Sequence, residues 1–187
     1  MAEKKPSFKK SFLIFLLVMT PPFWLLFTDE GSRVSDTALL WLLGRDEIKL
    51  DLVELDAGFS RADIKTVYAN TDWQCATQPS AFGDELCAAT IGTFNGFPAQ
   101  VLTFFFRQGQ VNAVKLIYRD MYHEQIIGHY IGQLGQPDNV AAAVAEGPSA
   151  DEVLQWDLGK GVMLLQKEVT SSDEPSLLWL AAKPGAE

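Results

Sequence analysis

His123 and His129 are the only histidines of the chain, and Cys75 and Cys87 its only cysteines. Metal, nucleophilic or redox chemistry therefore has few residues to draw on. Six positions apart on a helix, the two histidines would project about 120° from one another, unlike the i, i+4 pair that ligates zinc. Both read as residues of a helix surface or of the edge of its apolar stripe. The cysteines lie in DWQCATQPSAFGDELC, not in the C-x-x-C spacing of a dithiol redox site. Without histidines nearby they make a poor zinc site. No G-x-S-x-G, H-E-x-x-H or G-x-x-x-x-G-K-[ST] occurs. Asp151-Glu152 and Asp173-Glu174 fall in turn-like stretches and read as solvated faces, and Asp138-Asn139 lack the ligand spacing of an EF-hand loop. The residues imply no catalytic set, no metal and no cofactor, and an enzyme is not expected.

What the cysteines do depends on the compartment, and the N-terminus bears on that. Lys4, Lys5, Lys9 and Lys10 precede an uncharged apolar run from Phe12 to Phe27. A basic flank followed by an apolar stretch marks a secretory signal or a signal anchor. After Phe27 comes Thr28-Asp29-Glu30-Gly31, with no small-x-small cleavage site. The expectation is an uncleaved anchor over 11–28, with a basic cytoplasmic tail over 1–10. Ser11 to Phe27 would rise ~26 Å against a hydrocarbon core of ~30 Å, so the fit is short. Pro21 and Pro22 interrupt the run, which membrane helices tolerate better than soluble ones. Positive charge stays inside, so the remainder is expected outside the cytoplasm, as the periplasmic part of a single-pass inner-membrane protein. In an oxidising compartment an isolated cysteine pair forms a structural disulfide. Cys75–Cys87 is expected to be one, stabilising by about 3 kcal/mol in the chain-entropy model.

The chain carries 15 Lys+Arg against 24 Asp+Glu, a net charge of −9. Setting aside the first ten residues leaves 11 against 23, near −12 for the exported part. Such a balance disfavours nucleic acid or an anionic lipid surface as a partner. It suits plain solubility or a cationic partner.

Beyond a linker over 29–45, in which Ser35 or Asp36 could cap a short apolar helix ended by Gly44, one domain is expected over 46–187. EIKLDLVELD alternates Ile48, Leu50, Leu52 with charged residues and reads as a strand. Ser60 with Asp63 three later is an acidic capping box, and Phe59 and Ile64 hold the positions of a hydrophobic staple. Ile64, Val67 and Tyr68 mark one face of that helix, which should fray near Asn70. From Ala88 the period changes, and three strands turn at Asn95-Gly96 and Gln108-Gly109. Tyr122, Ile126, Ile127, Tyr130 and Leu134 restore helical spacing, with Gly135 and Pro137 as stop signals. AAAVAEGPSADE reads as an exposed loop or a short helix. Three strands follow over 153–158, 162–169 and 176–183. The expected fold is α+β: two helix–three-strand repeats forming an antiparallel sheet with the helices on one face.

Gly58–Ile64 fit the order glycine, hydrophobic residue, Ser/Thr, two variable residues, acidic residue, and Leu134–Pro137 read Leu-Gly-x-Pro. These motifs resemble the small outer-membrane lipoproteins of the barrel-assembly machinery and the β-lactamase inhibitor proteins. The first helix lacks the Leu-Gly-x-Pro end and the second lacks the Gly-x-Ser/Thr start. The resemblance spans about 57–183 as topology and implies a binding module. It carries over no functional residue, since both motifs are caps and stops.

Side-chain alternation puts Leu102, Phe104 and Phe106 on one sheet face with Val114, Leu116 and Tyr118. Phe105 then points the other way, with Lys115 and Ile117 beside it. An open apolar sheet face marks a partner site. The alternative is that the 47–56 strand or the N-terminal linker covers it. Two functions remain in view. One is a membrane-anchored, protein-binding module of the cell envelope, a scaffold, assembly factor or inhibitor, using Phe105, Lys115 and Ile117. The other is a small envelope ligand-binding domain or hydrolase.

Overall fold

A computed structural model describes residues 8–28, 46–142, 152–170 and 174–182. The chain divides into two compact units, 1–44 and 45–187. The first holds helix α1 (Phe8–Phe27), with Pro21 and Pro22 inside it. Its side chains from Phe12 to Trp24 are exposed. The Thr20 and Thr28 hydroxyls donate to the carbonyls of Leu16 and Trp24 one turn back, which satisfies both groups within the helix. Among the described residues no helix is long and apolar enough to cross a membrane. The expected linker over 29–45 with its short helix lies outside the described residues, as do 143–151 of the loop expected over 141–152, whose ends belong to strands at 139–142 and 152–157.

The second unit is α+β, as expected. In chain order it runs β1 (Glu47–Ile48), α2 (Arg61–Val67), β2 (Gln74–Ser80), β3 (Gly83–Thr90), β4 (Thr93–Phe94), β5 (Phe97–Arg107), β6 (Gln110–Tyr118), a 3-10 turn (Asp120–Tyr122), α3 (His123–Leu134), β7 (Asn139–Ala142), β8 (Glu152–Asp157), β9 (Gly161–Gln166) and β10 (Ser176–Ala181). The ten strands among the described residues join one sheet. Its main path is β2-β3-β5-β6-β10-β9-β8-β7, antiparallel throughout. The short β4 pairs with the start of β5, and β1 pairs parallel with β4. Each repeat is thus a helix followed by a meander, and the last strands of the two meanders, β6 and β10, pair at the centre with Lys115 opposite Leu178.

Each meander has four long strands where three were expected. The additional ones are β2 and β7, the two outer edges of the sheet. An edge strand has one neighbour, and β2 is exposed along nearly its whole length. It has no apolar alternation to reveal it. The 47–56 segment differs in the other direction. Ile48, Leu50, Leu52 and Leu55 are all buried, as their spacing implied. Only Glu47–Ile48 is strand, however. The Asp51 carboxylate accepts the Val53 N–H and starts a turn, closed by Leu55 N–H to the Asp51 carbonyl. The Asn95 side chain takes the place of a neighbouring strand: it accepts from Leu50 N–H and donates to the Leu50 carbonyl, both at 2.9 Å.

Local signals elsewhere hold. Ser60 caps α2, with both bonds of the capping box to Asp63 formed. The helix ends earlier than expected, at Val67, and Val67 is exposed rather than on the buried face. Asn95-Gly96 and Gln108-Gly109 have positive φ at both residues, as type I′ hairpin turns require. The core is a single cluster. Ile64, Ile126 and Tyr130 from the helices meet Leu102, Phe104, Phe106, Val114, Leu116 and Tyr118 of the first meander and Met163, Leu165, Leu177 and Trp179 of the second. Burial of each such side chain contributes about 1.5–3 kcal/mol. Two close approaches admit only glycine. A Cβ on Gly83 would lie 2.2 Å from the Phe106 carbonyl oxygen, and one on Gly161 would lie 2.5 Å from the Trp179 indole.

Candidate functional site: the open sheet face and a cleft beside the second helix

Cys75 and Cys87 are joined as a disulfide. They face each other across β2 and β3 with Cα atoms 4.0 Å apart. Cys87 is part of the core and Cys75 packs against it. The sequence led to a tied loop, and the structure makes it a tied hairpin that fastens the edge strand to the sheet.

Phe105, Lys115 and Ile117 lie together on the sheet face opposite the helices. Phe105 is paired with Ala113, Lys115 with Thr103 and Leu178, and Ile117 with Val101 and Ser176. All three are partly exposed, while the alternate residues Phe104, Phe106, Val114, Leu116 and Tyr118 are buried. The Lys115 ammonium lies 3.5 Å from the Glu174 carboxylate, so the charge at the centre of the face is matched. The Phe105 ring packs 5.2 Å from that of Phe82 in the β2–β3 turn. The face extends further than sequence reasoning took it. Leu178 and Leu180 of β10 and Val162 and Leu164 of β9 continue it, all partly exposed. The period-two alternation of those strands could have found them. Trp179 of β10 points the other way, belongs to the core and is fully buried.

The histidines part company. His123 was expected at the helix surface or stripe edge, but it is buried. The helix starts there, immediately after the 3-10 turn, and turns the ring inward. The Tyr118 hydroxyl donates to Nδ1 at 2.9 Å, and Nε2–H points to the Lys167 carbonyl at 3.4 Å. Both contacts fit the neutral ring with its proton on Nε2. Burial holds His123 below the usual imidazole range, with the Lys167 carbonyl and the Glu124 charge pulling the other way. Burial also raises the Tyr118 hydroxyl far above the phenol range, with Tyr130 adding to it. The imidazole therefore ties β6 and α3 to the strand end after β9. His129 is exposed, with its ring edge-on to Phe97 at 5.0 Å and to Tyr130 at 5.3 Å.

His129 stands at a cleft of about 550 Å³ lined by the 49–53 segment and the second half of α3, with Asn95 and Leu158 also in its lining. Ligand clefts generally measure about 300–1,000 Å³. Tyr130 is its buried wall. Burial pushes the Tyr130 hydroxyl up to about 12, a hydrogen bond with Asn95 works against that, and the Asp51 charge adds to the rise. Nothing in the residue spacing announced this cleft, because the 49–53 turn and α3 are some eighty positions apart. Asp138, considered as a calcium ligand, instead accepts the Asp157 N–H at 2.7 Å. Among the described residues no group of three or more His, Cys, Asp or Glu could hold a metal ion.

The fold and its surface define an α+β protein of duplicated helix–meander design with one open sheet face. No protein-family model matches the chain, and neither a curated protein nor a solved structure does.

Proposed function

We propose that the chain is a membrane-anchored, protein-binding module of the cell envelope whose working surface is the open sheet face around Phe105, Lys115 and Ile117. The observation that carries this reading is the continuity of partly exposed apolar side chains across both meanders, from Phe105 and Ile117 through Leu178 and Leu180 to Val162 and Leu164. Eight strands ~4.8 Å apart and about six residues long span roughly 700 Å² in projection, near the ~800 Å² per partner of a standard protein interface. At its centre Lys115, matched by Glu174, lies among partly exposed apolar side chains, so the face is apolar around one compensated charge.

The anchor is α1. Lys9 and Lys10 flank its apolar run, whose seventeen residues from Ser11 to Phe27 rise ~26 Å, short of the ~30 Å hydrocarbon core, so the reading rests on the basic flank followed by an uncharged apolar stretch and not on the length of the helix. The domain would then face an oxidising compartment, which agrees with a disulfide joining the only two cysteines. A helix followed by a meander, twice over, is also in keeping with a fold-level likeness to the barrel-assembly lipoproteins and the β-lactamase inhibitor proteins. Fold alone assigns no partner.

The test is site-specific photo-crosslinking of the full chain in intact cells. A crosslinker at Phe105 or Leu178 should give a discrete adduct, and one at the exposed Thr66 of α2 should give none. Phe105→Ser should abolish the Leu178 adduct while leaving the melting transition nearly unchanged; an unfolded Phe105→Ser chain, or adducts only at Thr66, would sink the assignment of this face. A C-terminal alkaline phosphatase fusion reports the compartment, and an inactive fusion in a stable protein would reverse the orientation.

A further inference from the structure

We infer that the cleft beside α3 is a second binding site, separate from the sheet face, and that it takes an uncharged, polyhydroxylated ligand, a short glycan. His129 and Gln133 sit four positions apart on α3 and so project to the same side on successive turns. Both line the cleft and both are exposed. Across from them the Asp51 carboxylate offers its second oxygen, the first being taken by Val53 N–H at 2.9 Å. Imidazole, amide and carboxylate thus line one cleft from two elements. Together they can both donate to and accept from neighbouring hydroxyls.

The remaining surface suits the other half of a sugar. The apolar side chains of Leu50, Leu134 and Leu158 line the same cleft, and a pyranose ring presents a C–H face to such a floor. The His129 ring is fixed by edge contacts with Phe97 and Tyr130, which makes it a held platform rather than a free rotor. Asn95 is not a ligand group. Its amide is consumed by both main-chain groups of Leu50 and by Tyr130, and it serves to fix the wall that carries Asp51.

Charge selects against anionic ligands. The chain has a net charge of −9, which repels anions. At the cleft, the Lys49 ammonium is engaged by Glu47 at 3.5 Å and shares the lining with Asp51, so the rim carries no net positive charge. A rim with no net positive charge in an acidic protein offers an anion no partner, and the donors, acceptors and apolar floor of the cleft leave hydrogen bonding and apolar contact as the means of recognition. Those are the means by which proteins hold glycans.

The experiment uses the full chain in a zwitterionic detergent without a sugar headgroup. The probes are the trisaccharides of glucose and of N-acetylglucosamine, with alanyl-alanine as a zwitterionic comparison, and the readout is the His129 imidazole resonances. At least one trisaccharide should shift them saturably, and alanyl-alanine should not. Gln133→Ala and Asp51→Asn should each weaken that binding about tenfold, the worth of one well-placed hydrogen bond to a ligand. Gln133 is exposed, so its removal should leave the melting transition in place, and Thr66→Ala on α2 should bind as the parent does. The inference is overturned if neither trisaccharide gives a saturable shift, if the dipeptide alone binds, or if Gln133→Ala binds as tightly as the parent. None of these outcomes bears on crosslinking at Phe105.

Discussion

Removing the disulfide should cost the 45–187 unit about 3 kcal/mol. The bond closes a loop from Cys75 to Cys87, a sequence separation of 12. In the chain-entropy model a loop of that length removes roughly 10 cal/mol/K from the unfolded ensemble, which is about 3 kcal/mol at 25 °C. The native hairpin does not need the bond for its register, since Gln74 to Thr77 pair with Ala88 to Glu85 through the backbone. The loss therefore falls mainly on the unfolded state. With a urea m-value of ~2 kcal/mol/M for a domain of this size, the midpoint should drop by roughly 1.5 M. Two routes separate the entropy from packing. Reduction of the unaltered chain keeps both sulfurs, whereas Cys75→Ala with Cys87→Ala also empties space at the buried Cys87 and should fall somewhat further. Hydrogen exchange should quicken first at β2, an edge strand that pairs only with β3. A midpoint that moves by less than about 0.3 M on reduction, with β2 amides as protected as before, would refute this account.

Acid should weaken the fold through His123. Its folded-state pKa lies below that of the unfolded chain because burial disfavours the imidazolium. The unfolded chain therefore takes up the proton first, and stability is complete above the unfolded value of about 6.5 and declines as pH falls from there to the folded value. His123→Gln should flatten that part of a stability-versus-pH profile measured by denaturant titration, and an unchanged slope would show that His123 is not its source. Glycine exchanges should have opposite signs at two positions. Gly83→Ala places a Cβ against the Phe106 carbonyl and should destabilise by about 1–3 kcal/mol, whereas Gly128→Ala in the open on α3 should stabilise by roughly 0.5–1 kcal/mol. Thermal melts of the two variants decide it, and equal effects would mean that the β3–β5 approach is not tight.

Much of the fold was legible because its signals are local. The capping box at Ser60, the two positive-φ turns at Asn95-Gly96 and Gln108-Gly109, and the stop at Gly135 depend on a few adjacent residues. Side-chain alternation in β5 and β6 is a property of the strand itself, so it placed Phe105, Lys115 and Ile117 on one face without knowledge of the partner strands. The pairing of the cysteines was legible too, since two cysteines leave one possible intramolecular disulfide. What stayed hidden was decided by partners far along the chain. Gln74–Ser80 is polar and becomes strand only because β3 offers it an unpaired edge. Leu50 has the spacing of a strand residue, yet its main-chain bonds go to the Asn95 side chain, forty-five positions away. His123 looks like a surface residue until the Tyr118 hydroxyl and the Lys167 carbonyl close on its ring. The cleft exists only where the 49–53 turn meets α3. Periodicity and turn chemistry act within a few residues, while burial and convergence of polar groups are set by which elements the folded sheet brings side by side.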